Sequence, residues 1–330
     1  MQFRTELNIE ESNLKINHTQ NIMGIGSCFV DSIGEKLEES KFKVLKNPFG
    51  TLFHPLAIEN ALARILSLTY YTKDEIFKYG ELYFSWDHHS SFNQISVEQT
   101  LEKINNELEF ANQFIRNTDV FLLTFGTAWV YKIKDTELYV ANCHKVPNSN
   151  FNKILLNDIQ LKSSFRNCFN FLLDINPNAK IITTISPVRH AKDGFVENNL
   201  SKAKLIANLH EVQSIYDNIE YFPAYELMMD DLRDYRFYEN DLLHPNEMAI
   251  EYIWEKFSQT YFTQETEEKI KLTHKIKQAL AHRPQNKNTI AYKEFLHKTN
   301  RQIHTIEHIF PKGSFIEEKA QLQKLMNHAD

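Results

Sequence analysis

Residues 119–126 read Asp-Val-Phe-Leu-Leu-Thr-Phe-Gly, an apolar run without polar alternation, bounded by a charge and a glycine. A strand of this kind has both faces buried, the situation of parallel strands covered by helices on each side. That constrains the whole chain, because parallel neighbours need long crossover connections, usually helices. The flanking sequence supplies both parts. Asn21-Ile-Met-Gly-Ile25, Phe42-Lys-Val-Leu45 and Lys180-Ile-Ile-Thr-Thr-Ile185 read as further strands, and Tyr221-Phe-Pro223 as a short edge strand where proline is tolerated. Helical spacing links them: Phe29, Ile33 and Leu37; Leu56, Ile58, Ala61, Ile65 and Leu66 after Pro55; Leu101, Ile104, Leu108 and Ala111 within 97–115; residues 161–173; and Leu200, Ala203, Ile206, Ala207 and Val212. The pattern predicts an α/β chain in which the strand ends carrying Ser27, Gly50, Gly126 and Ser186 gather at one edge of a single parallel sheet, where open α/β sheets bind ligands.

Other stretches fit around this frame. Tyr71 to Phe92 is rich in aromatics and reads as a loop over a site. Trp129–Ile133 and Leu138–Ala141 read as a hairpin inserted near 128–143. Met248, Ile250, Ile253, Trp254 and Phe257 give a further helix with Pro245 in its first turn. From Gln264 onward lysine, glutamate and asparagine mix with apolar Ile270, Leu272, Ile276 and Leu280, and residues 284–288 break the pattern. The expected organisation is a main domain over 1–262 and a helical extension over 263–330 that packs on it.

The formal charge of −6 gives no polycationic surface, so nucleic acid is not an expected partner. Cys28, Cys143 and Cys168 form no CxxC pair, which fits a reducing compartment better than a disulfide framework. Met1 to Gln20 has no apolar signal core, and Val120–Phe125 is too short to cross a bilayer; the expectation is a cytoplasmic location without membrane insertion, with oligomerisation left open. Neither a P-loop nor a dinucleotide glycine fingerprint is present. Adjacent His88 and His89 point to opposite faces of an extended chain and have no third ligand at a recognisable spacing, so no metal or cofactor is expected.

Chemistry concentrates at two places. In Gly24-Ile-Gly-Ser27-Cys28 the glycines allow a sharp strand-to-helix turn, leaving Ser27 at the carboxyl edge of the sheet. The amides of Ser27 and Cys28 then fall in the first helical turn, where unpaired N–H groups favour negative charge. Gly50, after the second strand, is placed to offer another amide, or is a plain turn glycine. The spacing Asp241-Leu-Leu-His244 puts a carboxylate and an imidazole in one loop, where Asp241 can fix the ring's tautomer. A serine, a histidine and an acid are the three parts of nucleophilic acyl transfer.

The motif blocks resemble those of the GSCFA family. Gly26-Ser-Cys-Phe29 carries its signature, with Val30 where the family has alanine. Thr184-Ile-Ser-Pro-Val-Arg-His190 with Asp193-Gly194, Asn199-Leu-Ser-Lys202, Phe222-Pro-Ala-Tyr-Glu226, and Asp234-Tyr-Arg-Phe-Tyr238 through Asp241-Leu-Leu-His-Pro245 follow in the family's order over roughly residues 20 to 260. That family is similar to the SGNH or GDSL hydrolases, which implies a three-layer α/β/α sandwich with a mostly parallel flavodoxin-like sheet. The resemblance implies Ser27 as nucleophile, Asp241 and His244 as the closing pair, and Gly50 as the second-block oxyanion glycine. The third block, Gly-x-Asn, has no clear counterpart; Gly126-Thr127 is the nearest match, with Thr127 or Asn142 as substitute donors.

The expectation is a serine esterase or acyl hydrolase removing a small, acetyl-like group from a carbohydrate or related polar scaffold. Its partner is then a small-molecule or glycan ester, with Ser186, Arg189, His190 and His89 as substrate-binding candidates; Arg189 has a structural carboxylate pairing as its alternative. Two rivals stand beside it. One is a weakly active glycan- or partner-binding protein on the same fold, which the absent third-block asparagine favours. The other makes Cys28 the nucleophile.

Overall fold

The computed structural model describes residues 5–327. β1 (Asn21–Gly26) leads through α1 (Cys28–Glu39) to β2 (Lys43–Lys46). α2 (Pro55–Ser67), β3 (Phe77–Tyr79), β4 (Leu82–Phe84) and α3 (Val97–Ile115) precede β5 (Val120–Phe125). β6 (Trp129–Ile133), β7 (Tyr139–Val140) and β8 (Phe151–Leu155) come before α4 (Asp158–Ile175) and β9 (Lys180–Ile185). After α5 (Phe195–Gln213) and β10 (Ile219–Tyr221), the short α6 (Ala224–Glu226) runs into a π turn at Leu227–Asp231, and α7 (Glu247–Tyr261) completes the sandwich. α8 (Gln264–Ala281), α9 (Ile290–Ile306) and α10 (Ile316–Asn327) follow.

The main sheet has the order β10-β9-β5-β1-β2, and every neighbouring pair is parallel. Counting its strands along the chain, this is the 2-1-3-4-5 winding of flavodoxin-like folds. Alternate residues feed opposite layers. Met23, Ile25, Phe121, Leu123 and Ile181 join the core under α2, α3, α4 and α5, whereas Ile22, Val120, Leu122 and Ile182 face α1 and α7. Both faces are therefore apolar, which explains the unbroken hydrophobic run from Val120. Because all strands run the same way, the exits after Gly26, Lys46, Phe125 and Ile185 lie at one edge, as the strand endings predict.

The structure corrects the sequence reading in four places. The aromatic stretch at 71–92 holds the antiparallel pair β3–β4, turned at Gly80 with φ +62°. The insertion beyond β5 is a three-stranded sheet, β7-β6-β8, rather than a hairpin, and extends to Leu155. Helix α5 presents Asn198, Ser201, Lys202, Leu205, Asn208, Leu209 and Val212 inward, while Leu200 is half-exposed. Pro245 precedes the N-cap Asn246 of α7 instead of occupying its first turn, and Met248 points outward. The last three helices bury their own cluster, including Ile276, Leu280, Tyr292, Leu296, Ile303 and Leu322. No helix among the described residues is long and apolar enough to cross a membrane.

Candidate active site

The turn after β1 is built by close backbone approach. Gly26 has φ +146°, and a Cβ there would lie 2.2 Å from the Thr124 carbonyl oxygen, so any side chain would clash with β5. Its amide donates to Asn47 Oδ1 at 2.8 Å, and Asn47 Nδ2 donates to Asp31 Oδ1 at 2.7 Å. Asn47 thus ties the exits of β1 and β2 to helix α1. Thr51 Oγ1 reaches the other oxygen of Asp31.

Ser27 is the N-cap of α1, in extended backbone with φ −81° and ψ −177°. Serine there normally accepts a hydrogen bond from the first turn. The N-cap side chains His54, Ser96, Asn157, Asn246, Thr263 and Thr289 all do so in their helices. Ser27 does not, and its buried hydroxyl has no hydrogen-bond partner. Leaving a buried hydroxyl unmatched costs about 1–3 kcal/mol, so such a group calls for an explanation.

The Asp241–His244 pair is preformed. Asp241 Oδ2 lies 2.6 Å from His244 Nδ1, and Oδ1 accepts the backbone N–H groups of Leu243 and His244 at 2.8 and 2.9 Å. The His244 amide, its ring N–H and the Leu243 amide together hold the carboxyl at about 2, so Asp241 is an anion at neutral pH. An anionic acceptor makes Nδ1 the protonated nitrogen and leaves Nε2 as the basic one. His244 makes no hydrogen bond to Ser27. It does share a cavity of about 70 Å³ with Cys28 and Phe29, the two residues after Ser27, walled by Ile33, Val188, Ile250 and Ile253. A larger cavity of about 1060 Å³ lies over α1, α7 and α8; Glu239 and Asn246 line it on either side of the Asp241–His244 loop, but neither Ser27 nor His244 does.

The oxyanion candidates do not assemble as the sequence suggests. The Gly50 amide donates to Asn47 O at 2.7 Å, and that of Ser27 to Thr124 O at 3.2 Å. The Thr127 amide goes to Phe53 O, while its hydroxyl accepts from the Trp129 amide and meets Ser201 Oγ. Asn142 sits in the inserted sheet's loop, its Oδ1 accepting from the His144 amide. The backbone donors of Ser27, Gly50 and Thr127 are committed locally, because tight strand exits leave few backbone groups without partners, whereas of Asn142 only the acceptor oxygen is engaged. The amides of Cys28 and Phe29, at the start of α1, remain.

Among the substrate-binding candidates, Ser186 is buried: its amide bonds Phe125 O, and its carbonyl accepts from Lys202. It braces a strand exit. Arg189 makes no ion pair among the described residues; its Nη2 donates to Leu242 O at 2.9 Å, with the guanidinium 5.1 Å from the Tyr238 ring centre and 5.6 Å from that of Phe195. Arg189 therefore holds the Asp241–His244 loop, in which Leu242 adopts φ +60°. His89 is half-buried, with its Nδ1 engaged by Ser91 and its Cβ packed on Gly50. His88 is instead sealed inside, its ring stacked 4.3 Å from Phe49, and burial lowers its pKa to about 3.

Two residues received no role from the sequence. Lys202 is fully buried without a counter-ion, its Nζ donating to Gly126 O and Ser186 O at 2.6 Å each, and burial lowers it to about 7. Asn47, in the turn after β2, is the other, bonding the Gly26 amide and Asp31. The signal for Lys202 was a polar Asn198, Ser201, Lys202 face at helical spacing. As for Cys28, burial and then Asp31 raise its thiol pKa, the wrong direction for a thiolate nucleophile.

A model of the GSCFA family matches residues 21–257, and one described as the C-terminal domain of GSCFA domain proteins matches 273–328. No curated protein sequence matches the chain. Among solved structures, an acetyl xylan esterase (Est2A) from the rumen bacterium Butyrivibrio proteoclasticus aligns with TM-score 0.37 and 9% identity, over 73% of this chain and 62% of that one.

Proposed function

The chain belongs to the GSCFA family, and from that premise we propose that it is a serine hydrolase acting on esters with small acyl groups. The observation that carries this reading is the coexistence, at one sheet edge, of an uncommitted N-cap hydroxyl on Ser27 and a preformed Asp241–His244 pair. His244 Nε2 takes the proton from Ser27 as Oγ attacks the acyl carbon; Asp241 stabilises the imidazolium that forms. The charge that develops on the carbonyl oxygen meets the Cys28 amide, the residue after the nucleophile at a helix start. His244 then protonates the departing alcohol, and water attacks the acyl-enzyme by the same steps in reverse. Hydrogen bonds between nucleophile and base often tighten only when substrate is bound, which fits the absence of a Ser27–His244 bond without it.

The cavity of about 70 Å³ beside Cys28 supports a short acyl chain. Tyr235 and Phe195, 62% and 58% exposed around Arg189, suit a carbohydrate or similar polar scaffold as the alcohol part. The experiment is turnover of p-nitrophenyl esters and acetylated sugars by the purified protein. The expected result is hydrolysis that is fastest for acetyl and propionyl and falls steeply with longer chains. A protein that turns over none of them is a binding protein on this fold, the reading favoured by the local commitment of the Gly50 and Thr127 amides.

A further inference from the structure

The amides of Cys28 and Phe29 make a sparse oxyanion site, and the Gly50 and Thr127 amides expected to complete it donate elsewhere, while Asn142 stays in the inserted sheet's loop with its Oδ1 on the His144 amide. One imidazole stands near the gap. His190 follows β9, and its Nε2 lies 3.3 Å from the position a Cβ on Gly126 would take. Gly126 leaves β5 two residues after Thr124, whose carbonyl receives the Ser27 amide, so this ring sits at the strand exit next to Ser27. The absence of a side chain on Gly126 is what gives the ring its room.

The ring is also held. Its backbone amide donates to Asn198 Oδ1 at 3.0 Å, and it meets the Phe53 ring edge-on, with centroids 5.7 Å apart at 83°. Phe53 is itself pinned, since its carbonyl accepts the amides of both Gly126 and Thr127. No ring nitrogen of His190 makes a hydrogen bond within the described chain, and neither is sealed from solvent.

We propose that His190 Nε2–H is the side-chain donor to the oxyanion, in place of the asparagine missing from the third block; the inference rests on the serine-hydrolase reading. Burial chiefly, then Lys202, His244 and Lys153 against the opposing Asp193, lowers the imidazole to about 4, so it is neutral at working pH. A neutral ring donates a hydrogen bond to developing negative charge without giving up its proton.

The test compares His190→Gln, which keeps an amide N–H near the Nε2 position, with His190→Leu, which keeps bulk and removes the donor. Removing one such donor costs about 10²–10³ in kcat. His190→Leu is expected to lose that much with KM little changed, to react correspondingly slowly with an alkyl fluorophosphonate, and to keep the downfield Nδ1–H proton resonance of His244; His190→Gln is expected to recover much of the rate. If the wild type labels and His190→Leu labels equally fast, or if the glutamine variant is as slow as the leucine one, the inference fails and the hydrolase reading stands. If the wild type neither labels nor hydrolyses, the reading fails and takes the inference with it.

Discussion

Gly26 and Ser27 decide whether this sheet edge can be reactive. A methyl group on Gly26 would meet the Thr124 backbone, so Gly26→Ala is expected to lower the melting temperature sharply and to remove activity in whatever protein still folds. Asp241→Asn keeps the shape but removes the charge that selects the imidazole tautomer; kcat is expected to fall by about 10³–10⁴ with an unchanged circular dichroism spectrum. The N-cap position of Ser27 and the Asp241–His244 bond were legible in the sequence because each depends on immediate neighbours: a glycine turn before a helix, and an acid three residues ahead of a histidine. Asn47 and Lys202 were not, since their work is done across 21 and 76 positions of chain, on Gly26 N–H and Gly126 O. Gly50 read as a donor because a glycine after a strand leaves its amide unobstructed. Only the fold reveals that Asn47 O takes it.

Helix α5 shows how a site overrides an apolar pattern. Its sequence offers an apolar side through Leu200, yet the structure turns Asn198, Ser201 and Lys202 inward. These three reach the His190 amide, the Ala128 amide and the carbonyls of Gly126 and Ser186, bonds that close the exits of β5 and β9. A lone cation in that place has a pH signature. Lys202 titrates at about 7 in the fold, against about 10.4 in an unfolded chain. Below pH 7 both states hold the proton and its contribution is flat; between pH 7 and 10 only the unfolded state holds it, so stability rises with pH. The expected slope is up to about 1.4 kcal/mol per pH unit, and Lys202→Met should remove it from denaturant unfolding curves measured across that window. Four of the five main strands and the long helices of the sandwich were readable from periodicity; the fifth, β10, lies at Ile219–Tyr221, ahead of the expected Tyr221–Pro223, because Pro223 instead caps the helix that follows. The β3–β4 pair and β8 were not: aromatic positions obscured the first, and the second is completed only by pairing with distant β6.

Across the whole molecule, the sandwich supplies the candidate chemistry and the last three helices lean on its far edge. His18 stacks on Phe42 at 4.1 Å and meets the edge of Phe310 at 5.0 Å, while Lys41 pairs with Glu318 and Lys277 with Glu39 at 2.5 Å. Phe310→Ala should therefore cost about 3–5 kcal/mol of stability in unfolding measurements and leave ester turnover unchanged. The layered architecture followed from two-sided apolar strands, whereas this docking surface, made by side chains brought together from residues 18, 42 and 310, left no local pattern to read. The central claim is that Ser27 is the nucleophile, and intact-protein mass spectrometry after treatment with an alkyl fluorophosphonate tests it most directly. One adduct is expected on the wild type and on Cys28→Ala, mapped to Ser27, and none on Ser27→Ala. An adduct that persists in Ser27→Ala, or that maps to Cys28, would contradict it.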